Sequence, residues 1–459
     1  MYLVQSENEM LLAESRIITA LKKAVRASPA DETLIAAQRG TRKTLRFAGG
    51  RIHQSFHEEE VPVWVKVACN GRMGIATTCS LSYAALRRAI DSAMTIARVA
   101  AKQLAPAFST TPQMAMIKPT TYFPQTIQRP LQESIQTIRR LWTESQSQGM
   151  ELAGSFVVGE DELAIIGSRG LTQYQPFSIA GIRLVATRGK DSGFAAQASR
   201  DLDALDLPAL AQRAWKFCRM NKNPKPIPIG RYDVLLEPEA VAELMEWLGY
   251  IGFGAKQFME RTSFLSGRIG ERLMDRRISI SDDGSDSEGL CVPFDYEGIP
   301  KQRVALVDRG IAAGVVYDSH YGKLHRREST GHAGPYDEFE GPLATNLFMA
   351  PGPTAYGDLL PMMDRGLWIC RFHYVNGLLK TREALMTGLT RDGTFLIRNG
   401  KVAGAVKNLR FTQSTLEAFS KIVAVSRERQ LIADPAQGLS STVAPALLIK
   451  DFTFTGQTQ

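Results

Sequence analysis

Between residues 9 and 26 the chain places Leu11, Leu12, Ile17, Ile18, Leu21 and Val25 at helical spacing and ends in Lys and Arg, which predicts an amphipathic opening helix. Alternating patterns follow. Extended pieces are expected over 33–38, 45–47, 51–56, 61–68 and 73–77, joined by hairpin turns at Gly49-Gly50 and Asn70-Gly71, since Asn-Gly between apolar runs is a strong hairpin signal. A helix is predicted from Ser80, whose hydroxyl can cap it, through Leu86, Ile90, Met94 and Val99. Beyond a Pro-rich stretch over 106–130, the pattern gives a helix over 131–148, strands at 154–158, 163–166, 179–187 and 194–199, and a helix over 207–220.

Asn223-Pro-Lys-Pro-Ile-Pro-Ile-Gly230 sets three prolines at alternate positions, a stiff extended connector incompatible with helix. It divides the chain into domains over 1–224 and 225–459. The second opens with a strand over 232–236 and a helix started by Pro238. That helix buries Val241, Leu244, Met245, Leu248 and Ile251 and turns Glu239, Glu243 and Glu246 toward solvent. Gly252 and Gly254 read as its C-cap. Strands are expected at 273–281, 302–308, 312–317, 367–374, 394–397, 402–406 and 446–454, with turns at Arg309-Gly310 and Asn399-Gly400 and one helix over 414–425. The fold class is α+β: an N-terminal α/β domain with a mixed sheet and flanking helices, then a β-rich domain of antiparallel strands with few helices.

Composition narrows the function classes. Lys and Arg total 55 against 47 Asp and Glu, but no basic run concentrates the +8 charge, which disfavours nucleic acid. The five cysteines, Cys69, Cys79, Cys218, Cys291 and Cys370, contain no Cys-x-x-Cys pair and suggest free thiols in a reducing compartment. The N-terminus carries acid where a signal peptide needs positive charge. No apolar run approaches the ~18 residues of a membrane helix, so a cytoplasmic protein is expected.

His320, His325 and His332 share one Gly-rich loop with Glu328, but their spacing puts no two imidazoles on one helical face, and no helix is expected there. No His-Glu-x-x-His, Gly-x-Ser-x-Gly, Walker or dinucleotide fingerprint is present. The acidic run from Ser281 to Glu288 lacks the register of a calcium loop and reads as a solvated turn.

Longer segments carry more. Arg51-Ile-His-Gln, Gly71-Arg-Met-Gly and Ala85-Leu-Arg-Arg-Ala resemble the N-terminal domain of the TldD/PmbA family. The second half is similar throughout, in Ser263-Phe-Leu-Ser-Gly-Arg-Ile-Gly, Asp282-Asp-Gly, Phe294-Asp-Tyr-Glu-Gly-Ile-Pro, Arg327-Glu-Ser-Thr-Gly-His-Ala, Ala344-Thr-Asn-Leu, Gly377-Leu-Leu and Arg391-Asp-Gly-Thr-Phe-Leu-Ile-Arg. The resemblance implies a cytoplasmic two-subunit protease. In it TldD-type chains hold zinc through His-Glu-x-x-x-His and a late cysteine, and TldE/PmbA-type chains lack those ligands. Here the corresponding helix reads Glu246-Trp-Leu-Gly-Tyr-Ile251, and nothing after Cys370 is cysteine.

The degenerate positions Glu246, Trp247 and Ile251 therefore imply no catalytic residue, metal ligand or cofactor in this chain. Zinc is expected in a TldD-like partner, with which it forms a heterodimer, or a homodimer in isolation, acting on unfolded peptides. His325, Arg326, Arg327, Glu328, Ser329 and His332 are expected to shape a peptide groove or subunit contact. The alternatives are a self-sufficient hydrolase using His320, His325, His332, Glu328 and Cys370, or a gyrase-associated nucleic-acid binder.

Overall fold

The computed structural model describes residues 16–102, 120–335, 341–436 and 438–457; the part of the opening helix before residue 16 lies outside these. The N-terminal half runs α1 (16–26), β1 (Glu32–Ala48), β2 (Arg51–Glu60), β3 (Val63–Cys69), β4 (Arg72–Thr78) and α2 (Tyr83–Val99). It continues with α3 (Pro124–Gln128), α4 (Leu131–Ser147), β5 (Glu151–Gly167), β6 (Thr172–Arg188), β7 (Asp191–Ser199) and α5 (Leu207–Met220). Its strands form one sheet, ordered β4-β3-β1-β5-β6-β7 with β2 beside the far end of β1.

Alternation along these strands decides what each face covers. Ile35, Ala37, Leu45 and Phe47 of β1 and Phe156, Val158, Ala164 and Ile166 of β5 meet the apolar stripes of α1, α2, α4 and α5. Leu34, Ala36, Leu163 and Ile165 point the other way, onto Val292 and Phe294 of the second half. Each Leu, Ile, Val or Phe among them removed from water contributes about 1.5–3 kcal/mol. The two halves thus share an apolar seam.

The second half runs β8 (Gly230–Leu236), α6 (Pro238–Gly252), α7 (Ala255–Met259), β9 (Ile280–Asp282), β10 (Val304–Asp308), β11 (Ile311–Ala312) and α8 (Ser319–Leu324). Next come β12 (Asn346–Met349), α9 (Tyr356–Leu359), β13 (Arg365–Lys380), β14 (Leu385–Arg398) and β15 (Lys401–Ala405). β16 (Leu409–Ser414), α10 (Thr415–Ser420), β17 (Ile422–Ile432) and β18 (Ser441–Gln457) complete it. Strand pairings β8 to β13, β14, β16, β18 and back to β8 close on themselves, so five strands form a ring. The apolar face of α6 packs with Phe411, Phe419, Phe452 and Phe454.

The α+β class holds, with the pairing distributed differently from expectation. Every pairing in the N-terminal sheet is antiparallel, and the mixed sheet is the C-terminal one, where β12 runs parallel to β18 and β8 parallel to β13. The four turns expected at Gly49-Gly50, Asn70-Gly71, Arg309-Gly310 and Asn399-Gly400 are all present and take the positive φ that such two-residue turns demand, as at Asn70 (51°) and Gly71 (73°). Ser82, not Ser80, caps α2, accepting from the Ala85 N–H at 3.4 Å. Of the expected 273–281 strand only 280–281 is extended, within β9, and 414–425 splits into a short helix and a strand because Ile422, Ala424 and Val425 pair with β18. Gly252 and Gly254 lack positive φ. Gly252 is needed because a Cβ there would lie 2.1 Å from the Phe264 ring.

Candidate functional site

The acidic residues of α6 recur at four and then three positions, which puts Glu239, Glu243 and Glu246 on one face. That face does not point to open solvent. It lines a trough between the halves, formed by two adjoining cavities of about 440 and 460 Å3. The first reaches Tyr250 and Thr442; the second reaches Phe194 and Gln197 of β7 and Arg371 and His373 of β13.

Burial pushes the Glu239 and Glu243 carboxyls up, opposed by Arg213 and Arg371 respectively. Glu246 presents accessible surface to the trough, yet protein mass surrounds it. Desolvation and then Glu243 raise it to about 7, while a hydrogen bond from Thr442 Oγ1 at 3.4 Å opposes. Two of the cations are already engaged. Arg371 Nε donates to Asp392 at 2.8 Å, and Arg213 donates to Glu237 at 2.8 Å and to Glu239. Glu237, fully buried at the start of α6, also accepts from Tyr356 and from Trp368 Nε1 at 2.7 Å, fixing the helix against α5 and β13.

The positions where the resemblance places metal ligands diverge in this fold. Ile251 is core, and Trp247 lies edge-on to Tyr250 and over Gly377, where a Cβ would approach Cε3 to 2.7 Å. An indole offers only an N–H donor and an alkyl group no lone pair. Of the three, Glu246 alone could coordinate, so these residues do not fit a zinc ion, which wants four N, S or O ligands. Among the described residues no group of three or more His, Cys, Asp or Glu side chains is arranged to hold a metal.

The loop over 325–332 divides into two environments, and none of its residues lines the trough. Ser319–Leu324 forms a short helix, against expectation, because the Asp318 carboxylate accepts from the Tyr321 N–H at 2.7 Å and caps it. His325 hydrogen-bonds Tyr317 at 2.7 Å and lies beside Phe258. Arg326, Arg327 and Glu328 are exposed, and Ser329 folds back onto the Tyr317 carbonyl. His332 is buried: its Nε2 meets Asp282 at 2.8 Å and its Nδ1 meets Thr330 at 2.9 Å.

Thr330, His332 and Asp282 thus share the connectivity of a hydrolytic triad, but the Thr330 hydroxyl is spent on the Tyr317 backbone and the imidazole has no open face. Asp282 also accepts from the Asn346 N–H, and Lys301 bonds Asn346 Oδ1 at 2.6 Å. The acidic run expected as a solvated turn therefore begins with a buried structural carboxylate. Cys370 is buried on β13, its thiol pushed well up by desolvation and then Glu237. The trough residues on β6, β7 and β13 carried no local sequence signal, since only the folding of the two halves brings them together.

Comparison places this geometry among known proteins. Residues 229–456 match the family described as PmbA/TldA metallopeptidase C-terminal domain, and residues 35–97 match PmbA/TldA metallopeptidase domain 1. Metalloprotease PmbA of Escherichia coli O157:H7 is 22% identical over 92% of this chain and 93% of its own length. The metalloprotease TldD homolog of Haemophilus influenzae is 26% identical over 39% of this chain and 38% of its own, so the chain spans well under half of that relative. The crystal structure of TldE from Thermococcus kodakarensis superposes with a TM-score of 0.86 at 18% identity, covering 95% of this chain and all of that one.

Proposed function

The chain belongs to the PmbA/TldD metallopeptidase family, and we propose that it serves as a non-catalytic, TldE/PmbA-like subunit of a cytoplasmic zinc protease acting on unfolded peptides. The observation that carries this reading is the donor set on α6: a carboxylate, an indole and an alkyl group stand where the resemblance implies two imidazoles and a carboxylate. The chain's contribution is then a shaped surface. β7 ends the sheet order and has no outer strand partner among the described residues. Its Phe194, Ala196, Gln197 and Ala198 line the trough, so an extended peptide can add along this edge through main-chain hydrogen bonds. The exposed Arg326, Arg327 and Glu328 are available to a TldD-like subunit bearing His-Glu-x-x-x-His, which would hold the zinc.

The test is metal analysis of the purified chain, followed by peptidase assay of the chain alone and mixed with such a subunit. The expected result is no stoichiometric zinc and no activity alone, with activity in the mixture. Zinc retained through dialysis together with peptidase activity of this chain by itself would overturn the reading.

A further inference from the structure

Five residues, Arg183, Glu239, Glu243, Ile432 and Ala433, line both cavities of the trough, so the two meet at this line. Arg183 comes from β6 of the N-terminal sheet and reaches across to Asp434, Nη2 to Oδ2 3.3 Å, in the connection from β17 to β18. That connection is fixed at its base, because Arg42 Nε donates to the Pro435 carbonyl at 3.2 Å and Arg200 Nη1 to the Gly438 carbonyl at 2.9 Å. Asp434 is therefore held. The Arg183 side chain, 47% exposed, is the part free to swing. Exposed ion pairs are weak and screened by salt.

We propose that the Arg183–Asp434 pair is a gate that divides the inter-domain trough into two subsites and must part for one extended peptide to occupy both. The proposal rests on the peptide-binding reading of the trough. A short peptide fits one cavity with the gate shut. An octapeptide, reaching roughly 26–29 Å when extended, must pass the junction. The acidic face of α6 on one wall and the aromatic and amide groups of β7 on the other then act on different parts of one ligand. Arg183 becomes the residue that sets ligand length.

The experiment measures binding of blocked, uncharged, fluorophore-labelled tetra- and octapeptides of one composition by anisotropy. It compares wild type, Arg183→Ala, Asp434→Ala and the charge swap carrying Arg183→Asp with Asp434→Arg. Either single substitution should raise the ratio of octapeptide to tetrapeptide affinity about two- to fivefold, the range to which an exposed pair's strength converts. The swap should restore the wild-type ratio. An unchanged ratio of octapeptide to tetrapeptide affinity in both single variants would overturn the gate while sparing the peptide reading. If no peptide binds wild type or any variant, the peptide reading falls and the gate with it.

Discussion

Replacing Lys66 by Met tests how the two halves are joined. Lys66 on β3 is 6% exposed and Glu297 is 3% exposed, and their charged atoms lie 2.9 Å apart across the seam. At an effective dielectric of about 20 the attraction is worth roughly 6 kcal/mol before desolvation, which offsets several kcal/mol per ion. The intact pair therefore adds little net stability. Removing only the cation is different, because Glu297 stays buried beside Asp295 and Asp318, both pushed up first by desolvation and next by Glu297 itself. The expected loss is about 3–5 kcal/mol.

Its pH dependence has a definite sign. In the wild type Glu297 is held below its ordinary range, chiefly by Lys66 working against desolvation, so its contribution is present above pH 4.5 and fades only as pH falls through the depressed value. In the variant the same carboxyl is pushed up, and stability falls as pH rises. The gap between the two proteins should therefore widen from pH 5 to pH 8. Urea unfolding followed by tryptophan fluorescence, to which Trp64, 5.4 Å from Tyr296 at this seam, contributes, measures it. A loss under about 1 kcal/mol that does not vary with pH would refute the argument, since that is how a solvated surface pair behaves.

Two further outcomes follow from buried or crowded groups. Glu246, raised from 4.5 to about 7, contributes its stabilising neutral form fully below pH 4.5 and loses it as pH rises through 7. Glu246→Gln should match wild type in thermal midpoint at pH 4.5 and exceed it at pH 8.5, and the reverse order would count against the raised carboxyl. His332→Ala takes from the buried Asp282 the hydrogen bond of an imidazole that burial keeps neutral, leaving Lys301 at 3.8 Å, and should cost roughly 2–3 kcal/mol in denaturant unfolding. Arg326→Ala and Glu328→Ala, on the exposed part of the same loop, should stay within about 0.5 kcal/mol, and equal losses at all three sites would contradict the division of the loop.

Local physics was readable where it was strong. Positive φ at Asn70-Gly71 and Asn399-Gly400 is readily adopted by the turn residues themselves, so those hairpins stood in the sequence. Helix α5 runs over the 207–220 that the sequence predicts, and in the fold the Asp206 carboxylate caps it at the Ala209 N–H. What failed was non-local. Whether a strand pairs parallel or antiparallel depends on where β8 falls between β13 and β18, and nothing in Arg231 to Leu236 states that. The Glu face of α6 matched a solvent-facing pattern because the wall opposite it is built by β6 and β7, more than forty residues earlier in the chain. His332 and Asp282, fifty residues apart, likewise found each other only in the fold.

The segments that carry the family resemblance explain how such a fold can persist while α6 presents no imidazoles. Asp282-Asp-Gly, the end of Arg327-Glu-Ser-Thr-Gly-His-Ala and Ala344-Thr-Asn-Leu converge on one buried polar network through Asp282, His332 and Asn346. Phe294-Asp-Tyr-Glu-Gly-Ile-Pro forms the seam, with Phe294 in the apolar layer, Tyr296 donating to Gln38 at 2.5 Å, and Glu297 on Lys66. Gly377 admits Trp247. Each of these is a joint, and removing one member leaves a buried polar group unpaired or a ring displaced. None requires a metal. The architecture and the chemistry of the α6 face are therefore physically separable, so ligands can be absent from that face without loosening the seam, the network or the trough.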